Sequence, residues 1–152
     1  MTNAILLAMA LAFSTLCLAH ENSFRLINNG NEISITTADL EQMPSSEIRT
    51  STNFTPLSVF TGVRFSELAE NYAIGSGEIR VFAWDDYSYT MPVAELLQYN
   101  VILAYKKNGS YIDISALGPY VIIYPRDDYP ELETLDVNAK TVWQIKTLEI
   151  IE

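Results

Sequence analysis

The stretch that most limits the fold is Glu78–Pro92, Glu-Ile-Arg-Val-Phe-Ala-Trp-Asp-Asp-Tyr-Ser-Tyr-Thr-Met-Pro. Ile79, Val81 and Ala83 alternate with Arg80, Phe82 and Trp84, the period of two expected of a pleated strand. Asp85 and Asp86 supply turn-forming side chains, and Tyr87, Tyr89 and Met91 resume the alternation toward Pro92. The turn sets Trp84 beside two carboxylates. An aromatic plane next to a carboxylate suits a flat, nitrogen-rich heterocycle, which the plane stacks while the carboxylate accepts its N–H groups. The same residues also suit a strand that packs its aromatics into a core and turns on Asp-Asp for local reasons. On this stretch alone both readings stand.

The rest of the chain is strand-rich. Phe24–Asn28 and Glu32–Thr36 alternate around Asn28-Asn29-Gly30-Asn31, a hairpin turn. Asp39–Met43 predicts a short helical turn capped by Thr36 or Thr37 and stopped by Pro44. Glu47–Phe54 predicts a strand running into a Thr/Ser/Asn-rich segment. Phe65, Leu68, Ala69 and Tyr72 fall at helical spacing over Ser66–Ala73. Pro92 opens a second helix with Val93, Leu96 and Leu97 on one face. Val101–Lys107 and Tyr111–Ile114 flank Asn108-Gly109, a hairpin signal. Tyr120–Tyr124 is an apolar run of the kind found in buried strands, and Thr141–Ile151 predicts a closing strand. Asp127, Asp128, Glu131, Glu133 and Asp136 read as a solvated acidic loop; a cation site is the alternative, but nothing fixes its ligand spacing. Together these give one α+β domain dominated by strands, a mixed sheet or flattened barrel with two or three short helices.

Residues 1–19 carry no charged side chain, Ile5–Leu18 is an apolar run, and Cys17 and Ala19 occupy the −3 and −1 positions of a cleavage before His20. We read 1–19 as a secretory signal peptide and 20–152 as the domain. A lipoprotein signal is the second reading, since Leu16 is not the small residue that should precede Cys17. Cys17 is the only cysteine and His20 the only histidine. The mature chain therefore has no disulfide, no thiolate ligand and no cysteine nucleophile, and neither imidazole catalysis nor a multi-histidine metal site is open to it. The net charge of −10 disfavours nucleic acid and anionic lipid as partners.

Five pieces in order carry a resemblance: Phe60-Thr61-Gly62-Val63 followed by Leu68; Trp84-Asp85-Asp86-Tyr87-Ser88; Met91-Pro92 with Leu96; Gly109 and Gly118-Pro119; and Val142-Trp143-Gln144-Ile145. The order, spanning residues 31–151, resembles the molybdopterin-binding oxidoreductase domain of the sulfite oxidase type (SUOX). In those enzymes a cysteine thiolate just before the F-x-G-V element holds molybdenum. Here the segment is Arg49-Thr50-Ser51-Thr52-Asn53-Phe54, with Thr50 aligned to the cysteine, and a hydroxyl is a poor substitute for a soft thiolate. The chain is similar in this respect to small periplasmic pterin-binding regulators (PruR-like).

That resemblance implies a non-catalytic periplasmic protein that binds a neopterin- or biopterin-type pterin without molybdenum. It also implies a partner, the periplasmic region of an inner-membrane GGDEF/EAL enzyme that makes or degrades cyclic di-GMP, and a protein not itself embedded in the membrane. The expected site has Trp84 stacking the ring and Asp85 accepting from its guanidine-like edge. Asp86 stands where the family has Gly, so either carboxylate can face the pocket. Arg49, Thr52 and Asn53 are candidate polar contacts, against surface charge for Arg49 and loop-forming bonds for the other two. Phe54 and Tyr120 are candidates for a second aromatic wall, against core packing. Two other functions stay open: a molybdopterin-dependent oxidoreductase with unusual metal ligation, and an interaction domain whose pocket is filled by its own side chains.

Overall fold

The computed structural model describes residues 21–152, so the expected signal peptide lies outside the described residues. The chain runs β1 (Ser23–Asn28), β2 (Asn31–Thr36), α1 (Thr37–Glu41), β3 (Ser45–Thr50), β4 (Ser58–Arg64), α2 (Phe65–Asn71), β5 (Glu78–Ala83) and β6 (Ser88–Pro92). It continues through α3 (Val93–Gln98), β7 (Ile102–Lys107), β8 (Ser110–Tyr111), β9 (Val121–Ile123), α4 (Leu135–Lys140) and β10 (Ile145–Ile151). The turn chemistry sets the hairpins. Asn29 and Gly30 have φ of 50° and 75°, and Asn108 and Gly109 have 50° and 81°, the paired left-handed residues that a two-residue hairpin loop requires. Thr36 and Asp39 form a reciprocal capping box that starts α1.

The strands make two open sheets rather than a closed barrel. One has the order β2-β1-β10-β5-β6, with β1 and β10 parallel and its other pairs antiparallel; the second has β3-β4-β7-β8, with β9 also paired to β7. The main core lies between them, where Phe24, Leu26, Val81 and Leu148 meet Leu103, Tyr105, Ile122 and Tyr124. Strand β7 is buried on both faces: Leu103 and Tyr105 enter this core, while Ile102 and Ala104 join Ile48, Phe60, Val121 and Trp143 in a second one. A strand covered on both sides needs the continuous apolar run seen at Val101–Tyr105.

Three expectations shift. Strand β3 ends at Thr50 instead of Phe54, because Ser51 turns its N–H and hydroxyl to Asp127 and Thr52 bonds back to Thr55. The last strand begins at Ile145 instead of Thr141, because Gln144 sits at φ 51° and bends the chain just before it. Among the described residues four α-helices are present instead of two or three. The additional helix, α4, grows out of the acidic run: Thr134 caps it by accepting from the Val137 N–H, with Asp136 in its first turn and Lys140 in its last.

Gly62 lies where β4 crosses β7 at a register shift, and a Cβ there would meet the Leu103 carbonyl and come within 2.6 Å of the Ala104 Cα. Both are backbone and cannot rotate away. Gly62→Ala should cost about 1–3 kcal/mol, the range for overpacking a filled core. A lower midpoint in urea unfolding with an unchanged slope is the expected result.

Candidate functional site

A cleft of about 440 Å³ opens where four segments converge. The β3–β4 loop brings Asn53 and Phe54; the β5–β6 hairpin brings Ala83, Asp85 and Tyr87; α4 brings Asn138 and Ala139; and the run into β10 brings Thr141, Trp143 and Gln144, with Leu117 completing the wall. This volume falls in the range of sites for small organic ligands. The segments are tied to one another by side chains. Tyr87 donates to the Ala139 carbonyl at 2.8 Å and Tyr89 to Asp136 at 2.7 Å, which fasten the hairpin to α4. Lys140, buried, reaches both Glu95 oxygens at 2.9 Å and Asp136 at 2.6 Å, which fastens α4 to α3. The Trp84 N–H donates to the Gln144 carbonyl, and the Gln144 side chain donates to the Ile114 carbonyl.

The walls are aromatic. Trp143 is only 8% exposed and meets Phe54 edge-on at 6.2 Å and Phe60 at 6.3 Å, whereas Phe54 itself is 64% exposed. Among the described residues, Asp85 is the one carboxylate that lines the cleft, and no Lys, Arg or His does. Its Oδ1 accepts the Tyr87 N–H at 3.1 Å, a local turn bond. Two buried polar atoms on lining side chains have no partner among the described residues: the Trp143 Nε1, a donor, and the Asn138 Oδ1, an acceptor. Leaving such an atom unsatisfied costs about 1–3 kcal/mol, which a ligand able to pair it can recover.

Of the residues singled out in the sequence, Asp85, Asn53 and Phe54 come together at the cleft. Trp84 does not. It is 58% exposed and continues the outer parity of Arg80 and Phe82, with its ring 5.9 Å from Lys146 Nζ. The pleat that points Ala83 inward must point Trp84 outward. Asp86 is exposed too and pairs with Lys146 at 3.3 Å; its φ of 67° explains why Gly suits this turn position. Arg49 is exposed on the edge strand β3. The Thr52 hydroxyl bonds Thr55 and accepts from the Phe54 and Thr55 N–H groups, holding the loop. Tyr120 is in the main core, edge-on to Phe24, its hydroxyl on Thr37 and the Asn22 carbonyl; burial pushes its phenol up to about 12. Sequence reading missed Tyr87, Asn138, Trp143 and Gln144 as lining residues. Tyr87 shares the parity of Ala83 and Asp85, and Trp143-Gln144 lies in the last motif quoted above, so a trace of these three was present; Asn138 lies in none of the motifs.

Thr50 is fully buried, and its hydroxyl is committed: it donates to Asp127 at 3.0 Å and receives the Asp127 N–H at 3.3 Å. The described residues hold no group of three His, Cys, Asp or Glu side chains that could ligate a metal, and the hydroxyl at position 50 is not a thiolate. The donor set does not fit molybdenum anchored through this position. The Ser51 N–H, with hydroxyl bonds from Thr50 and Ser51, holds the Asp127 carboxyl below the usual carboxylate range.

Two predictions follow from these bonds. A depressed native pKa adds stability above the unfolded value of about 3.9 and loses it as pH falls through the lower native value. Asp127→Asn should therefore flatten the decline in stability seen on acidifying below about pH 4, measured by denaturant titration at several pH values. Lys140→Met removes the cation between Glu95 and Asp136. It should cost at most about 3 kcal/mol, the low end for breaking a buried pair, because both carboxylates keep access to water. Faster hydrogen exchange confined to α4 would locate the damage there.

No protein-family model and no curated protein matches the chain. Among solved structures, the crystal structure of the sulfane dehydrogenase SoxCD from Paracoccus pantotrophus superposes with a TM-score of 0.61 at 13% identity. The match covers 84% of this chain and 37% of that one, so this chain spans well under half the length of its structural neighbour. At that identity the likeness concerns architecture: the chain has the strand-rich α+β fold of the sulfite oxidase type.

Proposed function

We propose that the protein binds a pterin in the cleft between Phe54, Tyr87 and Trp143, without molybdenum, and acts as a sensor and not as an enzyme. The observation that carries this reading is the composition of the cleft: aromatic walls, a single carboxylate in Asp85, and unpaired donor and acceptor atoms on Trp143 and Asn138. A pterin offers a flat bicyclic face to the aromatics and a guanidine-like edge to Asp85. Hydrogen bonds to a charged acceptor contribute on the order of 1.5–3 kcal/mol each, and aromatic contact about 0.5–1.5 kcal/mol beyond area burial. After association entropy is subtracted, these amount to micromolar affinity or better.

The occupied hydroxyl of Thr50 supports the absence of molybdenum in this proposal. Periplasmic location and signalling to the periplasmic region of a membrane-bound cyclic di-GMP enzyme rest on the sequence resemblance to PruR-like regulators. The likeness to a dehydrogenase favours a second reading, a molybdopterin-dependent oxidoreductase with unusual ligation.

Titration calorimetry with neopterin, biopterin and their tetrahydro forms tests the first reading. Binding of at least one pterin near or below micromolar is expected, and Asp85→Ala should weaken it tenfold or more while the melting temperature stays within a few degrees. Silence across the series would overturn it. Stoichiometric molybdenum, in protein purified from cells that make the cofactor, would install the second reading in its place.

A further inference from the structure

We infer that Asn138 reads the ring edge of the bound ligand and selects an edge that carries one donor and one acceptor side by side, as a cyclic lactam does. The inference rests on the cleft being a ligand site and deepens the pterin reading by naming the residue that sets specificity.

The cleft leaves two needs of opposite sense. Asn138 Oδ1 is buried and lacks a donor, and Trp143 Nε1 is buried and lacks an acceptor. Both side chains line the same opening. A ligand that meets both must present an N–H and a carbonyl or ring nitrogen together. A carboxamide has this same polarity, donating through its nitrogen and accepting through its oxygen, so it pairs with a lactam through two antiparallel hydrogen bonds. An apolar ring has neither group. A phosphate or carboxylate ligand can satisfy the indole but only repels the amide oxygen.

The position of Asn138 is fixed from the backbone outward. Its N–H donates to the Thr134 carbonyl inside α4, and the next residue, Ala139, receives the Tyr87 hydroxyl through its carbonyl. Lys140, one residue further, is held by Glu95 and Asp136 on the far side of the helix from the opening. The carboxamide is thus presented by a clamped helix, the arrangement that lets a polar contact discriminate between ligands. Asp85 at the exposed turn is left for the exocyclic amino group.

The test uses pterin and lumazine, which share the lactam edge, with 1,3-dimethyllumazine, whose methyl groups remove every N–H donor from that edge, and guanine, which has the lactam on a purine. The wild type, Asn138→Asp, Asn138→Leu and Trp143→Phe are titrated by calorimetry after circular dichroism confirms the fold. The wild type should bind pterin and lumazine, and 1,3-dimethyllumazine at least tenfold more weakly. Asn138→Leu should lose tenfold or more for pterin and lumazine. Asn138→Asp, which accepts but cannot donate, should lose most for lumazine, whose N–H lies between two carbonyls, and less for pterin, whose ring N–H and amino group can pair with both oxygens. Trp143→Phe keeps the wall but removes the donor, and should cost five- to tenfold. A folded Asn138→Leu protein that binds pterin and lumazine as the wild type does would overturn the inference and leave the pterin reading standing. Asn138-dependent binding of guanine with no binding of any pteridine would do the reverse. A wild type that binds none of the four would end both.

Discussion

Strand β10 is the constraint on which the remaining structure depends. It lies in the middle of its sheet, parallel to β1 through Arg25–Thr147 and Leu26–Leu148, and antiparallel to β5 through Val81–Leu148 and Ile79–Ile150. Its partners are thus the beginning and the middle of the described chain. The entropy of closing such long loops grows only logarithmically, about 0.6 kcal/mol for each doubling of length. Burial of Ile145 and Leu148, worth roughly 1.5–3 kcal/mol for each side chain, outweighs that increment. The consequence for the site is geometric. To enter the centre of one sheet, the chain must first pass the edge of the other, and there Trp143 enters the second core while Gln144 bends the backbone into β10. The inner wall of the cleft is therefore the approach to the central strand.

That dependence explains which parts were legible in the sequence. Local rules recovered the hairpins at Asn29-Gly30 and Asn108-Gly109, the α1 cap at Thr36 and the buried run of β9, because each is decided by residues close in sequence. The hairpin over Glu78–Pro92 was legible as a hairpin, yet its most conspicuous residue misled. Trp84 attracts attention by size, but the parity that buries Ile79, Val81 and Ala83 continues through Asp85 and Tyr87, and these are the residues that reach the cleft. Tyr120 was open to either reading for a similar reason: an aromatic in an apolar run does not reveal which side of a two-faced sheet it serves. Helix α4 was masked by the acidic run before it, though Thr134, Asp136 and Lys140 marked both its ends. The alternation over Thr141–Ile151 reads as one regular strand, Trp143 included, whereas Gln144 sits at φ 51° with its N–H on the Leu117 carbonyl and its own carbonyl on the Trp84 N–H, long-range bonds that local pattern does not carry.

Position 50 shows how a buried polar group is satisfied without a charge. A buried thiolate without a metal would be an uncompensated charge, whereas a hydroxyl is neutral and can be satisfied by two ordinary hydrogen bonds. Thr50 makes both to Asp127, which also takes the Ser51 N–H and hydroxyl. Asp127 follows the buried Arg126, whose Nη2 is held by Glu133. The end of β3 is thereby stitched to the acidic segment after β9. Thr50 thus serves as a structural joint, and the loop that follows it carries Asn53 and Phe54 to the cleft.

Electrostatics bear on the proposed ligand as well. The chain carries a net charge of −10, and among the described residues the cleft contributes one carboxylate and no cation; Lys146, on the outer face near Trp84, is engaged by Asp86. Two like unit charges 4 Å apart near a protein surface repel by about 4 kcal/mol, a few-hundred-fold to thousandfold penalty on affinity. A phosphate placed that close to Asp85 would incur that penalty, with no cation among the described lining residues to offset it. An amino-substituted edge in the same place would be attracted instead. On the pterin proposal, Asp85 therefore favours a ligand edge that carries N–H donors over one that carries negative charge.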